Sequence, residues 1–134
     1  VNKDAYIKEH FPEVVPGATP CGNKVLVQLR TMKAKSAGGI IIANETKDFN
    51  NGNTQLARVV SMGQIAFKHR ETGEEWKEGA WAKIGDIVIV PRWGGFRFEV
   101  PVPGTDDKAI FAVFEDYTLN LVVESNFESF DSIL

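Results

Sequence analysis

Short runs of alternating apolar and polar side chains, each ended by glycine, proline or aspartate, constrain this chain more than any other feature of it. In residues 23–30 (NKVLVQLR) Val25, Val27 and Leu29 alternate with Lys24, Gln28 and Arg30, and only Leu26 interrupts the polar side. A period of two is that of a half-buried strand. Residues 55–62 (QLARVVSM) supply a second strand and residues 87–90 (IVIV) a third, apolar on both faces. A fourth spans 96–102, with Phe96, Phe98, Val100 and Val102 on one side and Arg97 and Glu99 on the other; residues 109–114 and 119–123 add two more. Between them stand Gly63, Gly85-Asp86, Gly94-Gly95 and Pro103-Gly104-Thr105-Asp106, where glycine supplies positive φ and aspartate bonds its own backbone. The pattern predicts an all-β fold, a small barrel or sandwich. Set against ~150 residues for an average domain, the 134 residues make a single domain. Two ends fall outside the pattern. Residues 4–14 predict one or two helical turns up to Phe11-Pro12, and Phe127, Phe130 and Leu134 recur at helical spacing. Both tails are expected to cover barrel edges or subunit seams, because an open sheet leaves unpaired edges.

Charge and cysteine content narrow the function. A net charge of −3 and a pI near 5.4 argue against a protein that coats a nucleic acid duplex, which must neutralise many phosphates. One cysteine, Cys21, forms no internal disulfide, and with only the distant His10 and His69 beside it the usual zinc spacings are missing. No stretch approaches the ~18 apolar residues of a membrane span, and the first twenty residues lack the basic and apolar regions of a signal peptide. The chain is therefore expected in a reducing cytoplasm, with neither membrane nor nucleic acid as partner. G-x-S-x-G, P-loop, H-E-x-x-H and C-x-x-C are all missing from the sequence. A catalytic Cys21 would need His10 or His69 as its base, and a structural thiol is the simpler reading. No catalytic residue and no metal ligand is assigned, and a binding module is favoured over an enzyme.

Two segments do not behave like barrel. Residues 31–54 are mostly small and polar, and loops of that length are usually functional or disordered. At their centre Ser36-Ala37-Gly38-Gly39 precedes Ile40-Ile41-Ile42, and Asn44-Glu45-Thr46-Lys47-Asp48 returns to polar residues. Periodicity leaves two readings: a short core strand, or an apolar tripeptide displayed on a glycine hinge for a partner's groove. Over the following dozen residues only Phe49 is apolar enough to pair with it, which favours display. The second segment, residues 64–84, holds Phe67, Trp76 and Trp81 around a charged stretch with Thr72-Gly73 as a hairpin tip. It reads as a solvated hairpin or as a surface for cargo or neighbouring copies.

Lys35-Ser36-Ala37-Gly38-Gly39-Ile40-Ile41-Ile42 follows the strand Lys24-Val25-Leu26-Val27 and precedes Ile84-Gly85-Asp86-Ile87-Val88-Ile89. In that order, with Pro20 ahead of the first strand, these motifs resemble the GroES family of co-chaperonins over residues 20–124. Residues 66–73 and 78–81 and the run Pro91-Arg92-Trp93-Gly94-Gly95 are more similar to bacteriophage-encoded members. The resemblance implies a small GroES-like β-barrel at 20–124, a long mobile loop, a hairpin insertion and extensions at 1–19 and 125–134. It implies a heptameric ring capping a GroEL-type chaperonin, with Gly38, Gly39, Ile40, Ile41 and Ile42 docking between two helices of the chaperonin. It also implies a seam between the first strand of one subunit and the last of its neighbour, around Lys24, Val25, Leu26 and Val27 and around Leu119, Leu121 and Val123. Residues 64–84 would be the roof hairpin, longer than the bacterial one. No cofactor is implied, since the partner chaperonin binds the ATP; the enclosed substrate would be a protein, for a phage a capsid protein in the host cytoplasm. The competing expectation is a virion structural or decoration barrel that uses the same loop and tails to hold other subunits. A third, a small enzyme, needs a pocket around Cys21 or His69.

Overall fold

The computed structural model describes residues 3–30, 54–92 and 94–126. One helix, α1 (Lys3–His10), precedes six strands: β1 (Lys24–Leu29), β2 (Thr54–Met62), β3 (Ile87–Pro91), β4 (Phe96–Pro101), β5 (Lys108–Glu115) and β6 (Leu121–Val123). All six expected strands are present, with ends displaced by one or two residues. They form one antiparallel sheet in the order β4-β5-β1-β2-β3-β6. Val25, Val27, Ala57, Val59, Val88, Val90, Ala112 and Phe114 point to one face and bury one another. Such a face closes on itself only if the sheet curls, so the fold is barrel-like, with β4 and β6 as the two edge strands among the described residues.

The outer face is not the polar surface that alternation in β1 predicts. Leu26 is 1% exposed, Gln28 0% and Arg30 7%. The cover comes from the N-terminal residues. Tyr6 and Phe11 pack on Leu56, Ile87, Ile89 and Val123, while Val14 joins Phe98, Val100 and Val102 over Leu26, Ala109 and Phe111. A buried amide must be bonded, and Gln28 is: its Nε2 donates to the Pro12 carbonyl at 2.8 Å and its Oε1 accepts from Arg58 at 3.0 Å. The N-terminal tail thus covers a sheet face rather than an edge. The helical spacing of Phe127, Phe130 and Leu134 lies outside the described residues.

Between β2 and β3 the chain makes the expected hairpin. Lys68 bridges Glu75, the His69 N–H donates to the Glu74 carbonyl at 2.7 Å, and Gly73 at the tip has φ 75°. Phe67 and Trp76 meet edge-on at 5.5 Å and Trp76 meets Trp81 at 5.2 Å, packing the base. Phe67 holds φ 60°, uncommon outside glycine, and its N–H donates to the buried carboxylate of Asp116 at 2.8 Å. Asp116 lies in the 3₁₀ turn between β5 and β6 and thereby ties the hairpin to the far end of the sheet.

Candidate functional site

The residues expected to grip a partner, Gly38, Gly39, Ile40, Ile41 and Ile42, lie outside the described residues. What the fold does place is the pair of roots from which segment 31–53 departs and to which it returns. β1 and β2 are antiparallel neighbours, and the Arg30 N–H donates to the Leu56 carbonyl at 2.9 Å, so the two roots stand side by side. Each root is held by an arginine reaching a different element. Arg30 donates through Nη1 to the Tyr6 hydroxyl of α1 at 3.0 Å. On the returning side Arg97 of β4 donates to Gln55 Oε1 at 3.0 Å, to the Pro91 carbonyl at 3.2 Å and to the Arg92 carbonyl. Its guanidinium also lies 5.6 Å from the centre of the Phe114 ring. Burial, and then the neighbouring charge of Arg92, hold the Arg97 pKa below the usual arginine value. Carbonyl and amide oxygens around a desolvated cation are the compensation such a group needs.

Of the expected seam residues, the fold separates those that face solvent from those that do not. Both edges of β1 are filled within the chain, by β2 on one side and β5 on the other. Val25, Leu26 and Val27 are buried, and Lys24 pairs with Glu115 of β5 at 2.9 Å with both side chains partly exposed. Both backbone edges of β1 at Lys24, Val25, Leu26 and Val27 are thus already paired within the chain. Leu119 and Val123 are buried within the chain as well. Leu121 is 53% exposed on β6, whose outer edge pairs with no other strand among the described residues, and a shallow cleft beside it is lined by Trp81, Leu119, Asn120 and Val122. Val15, in the strand-free residues 12–20, is 83% exposed.

The chemistry-bearing side chains do not converge. Cys21 is exposed, His69 is exposed on the hairpin, and the His10 ring lies tilted against that of Tyr6 at 4.4 Å. Among the described residues no group of three or more His, Cys, Asp or Glu could hold a metal ion. Nor, among them, is any helix long and apolar enough to cross a membrane.

A curled antiparallel sheet, a long segment leaving between its first two strands and a hairpin inserted before the third are joined by a decisive match. Residues 17–119 fit the family model described as Chaperonin 10 Kd subunit. The chain belongs to the chaperonin 10 family. Proteins named co-chaperonin GroES from Lacticaseibacillus zeae and Lacticaseibacillus paracasei are each 30% identical to it over 87 residues, 65% of this chain and 83% of theirs. The co-chaperonin GroES of Lactococcus lactis is 26% identical over 105 residues, 78% of this chain and 97% of its own. At the family level its function is that of a co-chaperonin, and the chaperonin 10 family is not one of enzymes. The chaperonin 10 match takes in β1 to β5, segment 31–53 and the hairpin; α1 precedes it and β6 follows it.

Sequence reading missed three of the residues that organise this region: Tyr6, Arg97 as a root clamp, and Asp116. Their partners lie 24, 42 and 49 residues away along the chain, and no local period reports such distances.

Proposed function

We propose that this chain is a co-chaperonin that caps a GroEL-type chaperonin when the chaperonin holds ATP, enclosing a substrate protein while it folds. The chaperonin 10 match carries this reading, because its span, residues 17–119, includes Gly38, Gly39, Ile40, Ile41 and Ile42. Those residues are the grip. Fully burying one isoleucine side chain is worth roughly 1.5–3 kcal/mol, and ordering a segment subtracts about 1 kcal/mol per residue, so one grip alone binds weakly. Several grips on one rigid ring raise the effective concentration of each later contact. Weak single contacts also let the cap leave when the chaperonin changes state. The resemblance of residues 66–73, 78–81 and 91–95 to bacteriophage-encoded members supports a phage-encoded protein working in the host cytoplasm, with a capsid protein as its substrate. No cofactor of its own enters this mechanism, since the nucleotide sits on the partner.

The ring is held by a head-to-tail contact, and with β1 occupied that contact falls to the open edge of β6 and residues 12–20 of the next subunit. Exposed Leu121 on one element and exposed Val15 on the other support it. An edge pairing with a different segment is heterologous, and closed heterologous contacts generate rings of the heptameric kind. Leu121→Asp is expected to leave a folded monomer, seen by sedimentation and circular dichroism. A ring of unchanged stability would remove β6 from the seam.

The function is tested by mixing the protein with a bacterial chaperonin and ATP and imaging the particles in negative stain. Capped cylinders are expected. A folded, oligomeric protein that caps none, and that instead copurifies with virus particles, would move the reading to a virion structural barrel.

A further inference from the structure

Helix α1 lies outside the chaperonin 10 match, yet it is bonded to the first root of segment 31–53. Tyr6 is 2% exposed and sits among Phe11, Leu56, Ile87, Ile89 and Val123. From that apolar seat its hydroxyl accepts the Arg30 guanidinium at 3.0 Å, a buried bond. Arg30 is 7% exposed and immediately precedes segment 31–53, while its own N–H is tied to Leu56, a neighbour of Tyr6 in the same cluster. The start of the helix is fixed too. Lys3 Nζ lies 3.0 Å from Asp86 Oδ1, and the other carboxylate oxygen of Asp86 accepts the Lys83 N–H at 3.0 Å in the turn before β3. The helix therefore spans from the turn before β3 to the point where the chain leaves the barrel.

We propose that Tyr6 is a positioning residue for chaperonin binding: α1 latches Arg30 and so fixes the chain at the residue that precedes segment 31–53. The inference rests on the reading of that segment as the grip. A hydrogen bond from a charged donor is stronger than a neutral one, and inside an apolar cluster no water replaces it. A fixed root lowers the ordering cost that binding must meet, which is how preorganisation raises affinity. Because every subunit of a ring carries the same latch, a small effect per subunit is multiplied in the assembly.

Tyr6→Phe removes one hydroxyl and keeps the ring in its seat. In the full-length ring, amide exchange at residues 29–30 and 55–57 is expected to quicken about ten-fold. The concentration needed for half-maximal capping is expected to rise at least about five-fold, with ring size and thermal midpoint nearly unchanged. Arg30→Met should show the same two effects, and the double variant no more than either alone, as two partners of one bond require. Unchanged exchange in Tyr6→Phe overturns the latch. Faster exchange with unchanged capping, or additive effects in the double variant, overturns its role in the grip. Should wild type itself fail to cap any chaperonin, the functional reading fails and this role with it, and that outcome is separate because exchange still reports whether the latch exists.

Discussion

Ile40→Asp is expected to abolish capping while the protein still folds and assembles. The substitution removes the transfer energy of one buried isoleucine, roughly 1.5–3 kcal/mol. It also asks a carboxylate to enter an apolar groove without a partner, which costs at least several kcal/mol more. A single grip that begins weak does not survive that change, and avidity multiplies the loss over every subunit of the ring. Light scattering with chaperonin and ATP should fall to the level of chaperonin alone, a loss of more than about a hundred-fold in apparent affinity. Sedimentation should report the wild-type assembly, because none of the described elements of the barrel includes residue 40. Capping at wild-type strength would show that Ile40 takes no part in the grip.

The largest stability effect is expected at Gly63, where β2 ends against the turn that leads into β1. A Cβ there would fall inside the contact distance of the Gly22 carbonyl oxygen, and within 2.8 and 2.9 Å of the carbonyl carbons of Gly22 and Cys21. All three are backbone atoms and have no rotamer by which to yield. The same two strands are tied across this point, since the Gly63 N–H donates to the Lys24 carbonyl at 2.8 Å and the Ile65 N–H to the Gly22 carbonyl at 3.1 Å. Gly63→Ala must therefore open the β1–β2 pairing or abandon those bonds, a cost of about 3 kcal/mol or more. In a domain of this size that lowers the thermal midpoint by about 10 °C. Gly73→Ala is the control. Its Cβ meets nothing within 4 Å, and only the strain of φ 75° remains, about 1 kcal/mol. Equal midpoints for the two variants would show that the close approach at Gly63 carries no weight.

Much of the strand pattern was legible because it is local. Val25, Val27 and Leu29 share a face in the chain as they do in the sequence, and Ile87, Val88, Ile89 and Val90 are buried on both sides as four consecutive β-branched residues imply. The hairpin tip at Thr72-Gly73 follows from turn chemistry alone. Reading failed where a distant segment changed the environment of a correctly placed residue. Gln28 and Arg30 occupy the side of β1 that alternation assigns to them, but the N-terminal tail lies over that side and turns it into interior. Sheet order is non-local in the same way: β1 carries the right residues for a strand, and only the tertiary pairing shows that β2 and β5 fill its two edges.

By itself, then, the sequence determined the elements, their turns and the family, since period-two alternation, glycine positions and the K-S-A-G-G-I-I-I stretch are properties of neighbours along the chain. Tertiary structure alone decided which faces are interior, which edge stays open, and that Tyr6 reaches Arg30, Arg97 reaches Gln55 and Asp116 reaches Phe67. Those contacts arise when the sheet curls and the tail crosses it, and their energies depend on burial that no residue possesses before the chain has folded.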